Sequence, residues 1–506
     1  MRLSRPLVQF FLFAILVLVF QPMKTGFEPG HHGWVSAHTL AQISNATPAN
    51  HFLGFTQKTI VEGHTDYHYI DRYPFFFAGG MNLLLSPVWD NLGWTIYLGR
   101  QLMNLIFLFS AFFIWRICRL LHDDEKKATL VTAFVMSSSL FIKYKDMVHF
   151  DQPALLGCLI LLNGILEYEL NGKKRLLYIG AVLGPLMGRG YAVIFFIAGW
   201  LLVKFIRNLM DSRKFLDSIR KVPVLFLIIS IPLPTLLLAN NIAAEARMRK
   251  IGWTETSILV SAQHRLGLLK YKTSDLKEKE FSWGSYLSNQ VQRTMDFFTP
   301  YGLYGLHVKN YKNKLLHYTS ILPKAIFQLF LLYLLIKFFP PWWKAHDRKK
   351  RDIFLSLVAG GLLWILVMRN LANYHEYVTL YLVGFVIICW SFLVDRFVSQ
   401  TEKRRKIAAL SIVISLSLHS AWGWYEAGKV NWQAREFQKV RDQLKTEKVE
   451  RVYLTPTVFD FFLDGVKWGD SFFLSGYVIT HEPREAQKQI LKVMTPEGTA
   501  LEIKSL

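Results

Sequence analysis

The sequence predicts an α-helical polytopic membrane protein with about 11 transmembrane helices, outer-face loops and a small C-terminal α/β domain. Three observations predict it. Apolar residues make up 52% of the 506, aromatic ones 15%, and mean hydropathy is +0.23; they gather in long uncharged runs that a soluble chain would not repeat. The basic residues behind the net charge of +22 cluster between those runs, as in cytoplasmic loops of membrane proteins, which argues against a nucleic-acid partner. After about residue 424 the long apolar runs stop, and short helical and alternating patterns take over.

The first run, 7–22, follows Arg2 and Arg5 and has no small-residue cleavage site behind it, so it reads as an uncleaved signal anchor. A helix needs about 20 mostly apolar residues to cross roughly 30 Å of hydrocarbon. On that rule further spans fall near 94–115, 128–143, 153–169, 176–187, 190–206, 222–240, 325–339, 353–368, 377–394 and 407–424. The fifth and sixth runs, if joined, would make a helix of roughly 45 Å, too long for one crossing. The "GPLMGRG" between them supplies the break.

Charge sets the orientation. With the N-terminus inside, the inner segments carry 26 Lys and Arg, against 4 in the short outer loops 143–152, 188–190 and 369–376. Merging the fifth and sixth spans would throw three basic clusters outside, so the positive-inside bias favours eleven spans with the C-terminus out. Residues 1–424 then form a transmembrane module with long outer loops at about 23–93 and 241–320. Residues 425–506 form a small soluble α/β domain on the outer face: "NWQAREFQKVRDQLK" and "REAQKQILKVM" have helical spacing, "RVYLTP" and "YVITHE" strand-like spacing. Cys118, Cys158 and Cys389 lie in or beside apolar runs and read as small buried residues, spaced for neither metal nor disulfide.

Ionisable groups gather at the outer boundary. The first loop opens with "FEPGHHGWVSAHTL", holding Glu28, His31, His32 and His38, and goes on through Glu62, His64, Asp66, His68, Asp71 and Arg72. Such density beside a membrane points to function, because burying charge there is costly. The histidine spacings fit no strong metal-ligand pattern, so no metal is expected. In "KYKDMVHFDQPALLG", Asp151 stands at the start of a span just ahead of Pro153, at or near an N-cap. It reads either as a cap alone or as a site residue beside Lys143, Lys145 and His149. Arg189 lies between glycines in "MGRGYA", and the turn "MRNLANYHEY" supplies Arg369 and His375. Together these cations suit a phosphate or diphosphate.

The layout resembles the polyprenyl-phosphate-sugar-dependent membrane glycosyltransferases of superfamily C, among them aminoarabinose, protein mannosyl and lipopolysaccharide-core transferases. The resemblance rests on the first-loop acid, "YIDRYPFFFAGGMNLLLSP", Arg100 in "LGRQLMNLIF", "YKDMVHFDQPALLG" and "MGRGYAVIFF", and more loosely on "NYHEYVTLYLVG". It covers roughly 5–200 and, loosely, 350–395. It implies that Glu28 deprotonates the acceptor and that Asp151 orients the acceptor or a nearby cation. "EPGHH" stands where an Asp-Glu pair is frequent, so Asp66 and Asp71 are reserve bases, and Arg189 replaces a common Lys. Arg72, Arg100, Lys145, Arg189, Arg369 and His375 are substrate-binding residues on this reading, with His31 and His32 beside Glu28.

The implied activity is transfer of a hexosyl or pentosyl unit from a lipid-linked donor to an envelope glycan, lipid or protein. It implies a multi-pass protein of a bacterial inner membrane, with a cytoplasmic N-terminus and a periplasmic or extracellular site. No cofactor is expected, and a divalent cation is not favoured. The rival readings are a multi-pass transporter and a non-enzymatic envelope-assembly protein. A transporter would carry ionisable groups deep in its spans, where His419 is the clearest example.

Overall fold

The structure, a computed structural model, describes residues 22–28, 31–44, 56–62, 68–71, 75–122, 124–187, 190–212, 230–250, 258–268, 271–272, 278–279, 281–299, 314–449, 451–454, 472–473, 478–480, 488–494 and 500–505, with isolated positions at 5–15 and 228. Among the described residues, six helices are long and apolar enough to cross a membrane: Leu92–Leu121, Asp151–Asn171, Ala192–Asp211, Ala325–Ala345, Glu376–Val398 and Glu402–Thr446. Arg175–Met187 is a shorter apolar helix. The expected span 7–22 lies largely outside the described residues, whereas the expected span 222–240 is described at 228 and 230–240, where its second half opens the Pro232–Lys250 helix.

Local chemistry sets the helix ends. The Leu92–Leu121 helix opens on Asn91, whose side chain accepts from Trp94 N at 3.1 Å. At 30 residues it is about 45 Å long, more than the hydrocarbon needs, so its ends extend beyond the apolar layer. The Asp151–Asn171 helix carries Pro153 in its first turn and ends at Gly172, whose φ of 69° gives the left-handed close that lets Arg175–Met187 turn straight back. The two then pack backbone to backbone. A Cβ on Gly157 would strike Gly184, one on Gly164 would strike Leu177, and one on Gly180 would strike Leu161.

One expected span is not a single helix. The apolar run 128–143 is continuous in sequence, but the chain forms Glu125–Met136, breaks at Ser137 and Ser138, and restarts as the buried Ser139–Tyr144. At twelve residues the first piece rises about 18 Å, short of a crossing. Ser139 Oγ donates to the Asp296 carbonyl at 2.5 Å, which ties the restart to the Trp283–Asp296 helix of the second long loop.

A six-stranded sheet joins distant parts of the chain. Its strands are β1 (Thr56–Glu62), β2 (His68–Asp71), β5 (Arg451–Leu454), β6 (Val478–Thr480), β7 (Lys488–Met494) and β8 (Ala500–Ser505), in the order β2-β1-β6-β5-β8-β7. β3 (Tyr271–Lys272) and β4 (Glu278–Lys279) form a separate pair. β1 runs parallel to β6, with Ile60 opposite Val478, so the C-terminal strands share their sheet with the first long loop. β7 corrects the helical reading of "REAQKQILKVM": its last seven residues are strand, paired antiparallel with β8.

Among the described residues, two apolar clusters organise the interior. The larger joins the spanning helices. The smaller binds Phe27, Leu40 and Ile43 of the first loop to Leu92, Ile96 and Met103, to Val148 and Phe150, and to Phe437, Val440 and Leu444 of the Trp432–Thr446 helix. That smaller core lies beside the candidate site.

Candidate active site

The stretch 22–28 precedes the His31–Ser44 helix, and residues 431 and 433, each 406 positions beyond its partner, hold it in place. Asn431 accepts from Thr25 N at 2.9 Å through its side-chain oxygen and donates to the Met23 carbonyl at 2.8 Å. Gln433 accepts from Phe27 N at 2.9 Å and donates back to the Phe27 carbonyl at 3.2 Å. Gly26 between them presses on the Val430 carbonyl so closely that no Cβ would fit. Glu28 is thus fixed at the base of the first loop.

Glu28 sits in a cluster of charges. Its Oε1 lies 2.9 Å from Lys24 Nζ and its Oε2 2.8 Å from Arg100 Nη2. The same Arg100 nitrogen donates to the Gly26 carbonyl at 2.9 Å, and Nη1 reaches Asp146 Oδ2 at 3.4 Å. Lys145 Nζ donates to Asn104 Oδ1 at 3.3 Å. Arg100 and Lys145 are almost wholly buried. Arg100 therefore clips the first loop to the turn 143–150, with its planar fork reaching two carboxylates and a carbonyl.

The electrostatics follow from burial and neighbours. Burial works against charge on Glu28, but Arg100 and Lys24 overcome it and hold the carboxyl down to about 2. Burial likewise opposes charge on Asp146; Lys145, Lys24 and Arg100 outweigh it, so that carboxyl also lies well below its usual range. Burial lowers Lys145 to about 8, with Lys24 and Arg100 repelling its charge and Asp146 partly offsetting them. Three cations face two carboxylates, so the cluster has one positive charge in excess and suits an anion.

Asp151 belongs to a second group. It is the first residue of its helix, with the cap position on Phe150, and its Oδ2 lies 2.7 Å from His149 Nδ1. Tyr381 donates its hydroxyl to Oδ1 at 3.0 Å from within the 3-10 turn Glu376–Leu382. Asp151 is 2% exposed. Lys143 and Tyr144 both bind Glu376 Oε2, at 2.7 and 2.8 Å. The His375 and His149 rings each contact Tyr377, both at a centroid distance of 5.3 Å. The turn 143–151 thus passes through both groups.

The structure brings Glu28, Arg100 and Lys145 together and places Asp151 near His375 through Tyr377 and His149. Arg369 has another setting: its guanidinium lies over the Phe281 and Trp283 rings at 5.0 and 5.5 Å and donates to the Gly267 carbonyl at 3.1 Å. Asp66, Arg72 and Arg189 lie outside the described residues, and of His31, His32 and Asp71 only the backbone is described. Glu376, at the turn before the expected span 377–394, joins the site, and so do Lys24, Asn104, Asp146 and Tyr381, which the sequence does not single out. Of these four, only Asp146 and Lys24 carry a signal, as charges at a span boundary. His419, buried in the Glu402–Val430 helix, lies within electrostatic range of Asp146 and belongs with this cluster. Among the described residues no three or more His, Cys, Asp or Glu side chains are grouped to hold a metal ion.

No family model and no curated protein matches the sequence. Among solved structures, the chain is similar to ArnT from Cupriavidus metallidurans in the apo state, with a TM-score of 0.53 and 9% identity over 99% of this chain and 98% of that one. It is similar too to ArnT from the same organism bound to undecaprenyl phosphate, with a TM-score of 0.52 and 9% identity over 98% of each chain. At that identity the likeness is one of fold. The chain is a multi-pass membrane protein with the fold of ArnT, the membrane fold that the resemblance in its sequence implies.

Proposed function

We propose that this chain is a glycosyltransferase that moves a hexosyl or pentosyl unit from a polyprenyl-phosphate donor to a hydroxyl of an envelope glycan, lipid or protein. The observation that carries the reading is the buried cluster of Lys24, Glu28, Arg100, Lys145 and Asp146, at one end of the spanning helices, in a chain with the fold of ArnT. The undecaprenyl phosphate bound to ArnT is a ligand of the class this cluster would take. The working face is the outer one, of a bacterial inner membrane crossed about eleven times with the N-terminus cytoplasmic. The first loop and the α/β segment 425–506 would cover the site.

In the reaction the acceptor oxygen attacks the anomeric carbon as the bond to the phosphate oxygen breaks. The electron pair leaves with the polyprenyl phosphate, and the acceptor proton passes to a carboxylate. The transition state is oxocarbenium-like, and negative charge builds on the phosphate. Arg100, Lys145 and Lys24 are the cations placed to meet it, so a divalent cation is not called for.

Glu28 as it stands is a weak base, since each of its oxygens holds a cation. An arriving phosphate competes for Arg100 and Lys24, and every contact it takes from Glu28 raises the carboxylate's proton affinity. The donor thereby prepares the base that its own transfer requires. Asp151 keeps His149 oriented and would position the acceptor.

The test is the intact mass of surface glycolipids and glycoproteins from cells carrying the wild type, Glu28→Gln or Asp151→Asn. Both variants should remain in the membrane and lose a single-sugar increment that the wild type adds. Normal glycan profiles from both would overturn the assignment.

A further inference from the structure

A second charged site lies at the other end of the same helices. In the Leu92–Leu121 helix Arg100 and Arg116 are sixteen positions apart, as are Asp151 and Glu167 in the Asp151–Asn171 helix; at 1.5 Å per residue each separation is about 24 Å along the axis. There Arg116 pairs with Glu167 across the two helices. Beside that pair the chain turns through Gly172 into Lys173, Lys174 and Arg175, all exposed. Among the described residues none of these three forms an ion pair. Together they line a cavity of about 580 Å³ whose remaining wall is Leu176 and Ile179.

We propose that this cavity holds the phosphate headgroup of an anionic membrane lipid, on the face opposite Glu28. The Arg116–Glu167 pair cancels itself, which leaves Lys173, Lys174 and Arg175 with no ion-pair partner among the described residues. Basic pockets between spanning helices suit such headgroups. The apolar wall distinguishes a lipid from a free phosphate. Leu176, Ile179 and Leu183 follow one another at helical spacing from the cations toward the middle of the helix, and Leu183 is 40% exposed. A lipid seated by its phosphate would lay an acyl chain along that row. A free phosphate would leave the row unused.

The test uses the full chain in nonionic detergent, titrated separately with short-chain phosphatidylglycerol, phosphatidylcholine of the same chain length and sodium phosphate. Binding is read by native mass spectrometry and by the shift in Tm. Phosphatidylglycerol should bind the wild type and raise its Tm, and the other two should do so far less. Replacing the three cations in a Lys173→Gln, Lys174→Gln, Arg175→Gln variant should weaken phosphatidylglycerol binding by about a hundredfold, at roughly 1 kcal/mol per cation. A Lys173→Arg, Lys174→Arg variant should bind as the wild type does. If the triple variant does not accumulate, each single Gln variant should lose about fivefold. Unchanged affinity in the Gln variants overturns the proposal, as does sodium phosphate binding as well as the lipid. Sugar transfer should be unaffected in all of them, because none touches the Glu28 cluster.

Discussion

Lys145 holds its ammonium 3.3 Å from Asn104 Oδ1 with almost no surface in water. Burial, helped by Lys24 and Arg100, brings it down to about 8, so it is charged below that pH and neutral above it. If Lys145 helps hold the donor phosphate, donor affinity should fall as pH rises from 8 to 10, by about tenfold for the loss of one charged hydrogen-bond donor. Lys145→Arg stays charged throughout and should flatten the profile. Donor KM measured across that range checks this; a wild-type profile that does not fall would remove Lys145 from the phosphate site. Glu28 and Asp146 cannot produce the effect, because both stay ionised well below neutral pH. At this scale the sequence was legible where charge met a span boundary, as at Glu28 and Lys145. It was silent on Tyr381, which sits in an apolar run and shows its role only when the fold turns its hydroxyl onto Asp151. Arg369 stands at a turn, where the sequence suits a phosphate ligand; in the fold its guanidinium lies over two aromatic rings and donates one hydrogen bond to a carbonyl.

Between elements, Asp151–Asn171 and Arg175–Met187 approach closely, because glycines let the backbones meet. Gly180→Leu places a side chain against the Leu161 backbone and should lower stability by about 1–3 kcal/mol through overpacking. Gly80 offers the contrast: a Cβ there meets nothing within 4 Å, so Gly80→Ala should be neutral or stabilise its helix by up to about 1 kcal/mol. Tm values of the two variants in detergent check both, and equal values would mean that the glycine seam does not govern this packing. Hydropathy made most spanning helices legible, because the length of apolar chain is itself the physical requirement. The break at Ser137 and Ser138 was hidden, since two hydroxyls within an apolar run interrupt neither length nor hydropathy. The strand at Lys488–Met494 was misread for a related reason: its polar and apolar residues fit helical spacing, and its partner β8 decides the matter.

For the molecule as a whole, orientation is the property most open to direct measurement. Cys118, Cys158 and Cys389 are all buried, so an introduced thiol can be labelled with little background. Asp90 is exposed near the Glu28 end of the Leu92–Leu121 helix, and Lys173 is exposed at the opposite end of the bundle. In intact spheroplasts a membrane-impermeant maleimide should label Asp90→Cys at once and Lys173→Cys only after permeabilisation. The reverse pattern would invert the proposed topology.

The hold of Asn431 and Gln433 on residues 23–27 has a further consequence, in the order of synthesis. Hydrogen bonds spanning 406 residues of sequence fix the stretch that carries Glu28, and β1 must wait for β6 before it can pair on that side. A ribosome will have released nearly the whole chain into the membrane before either partner exists. The cluster around Glu28 is therefore among the last parts to assemble, and a chain cut short before the Trp432–Thr446 helix would insert its spans yet lack the clamp that seats its carboxylate. The seat of the carboxylate therefore forms only after the Glu402–Val430 helix has been made.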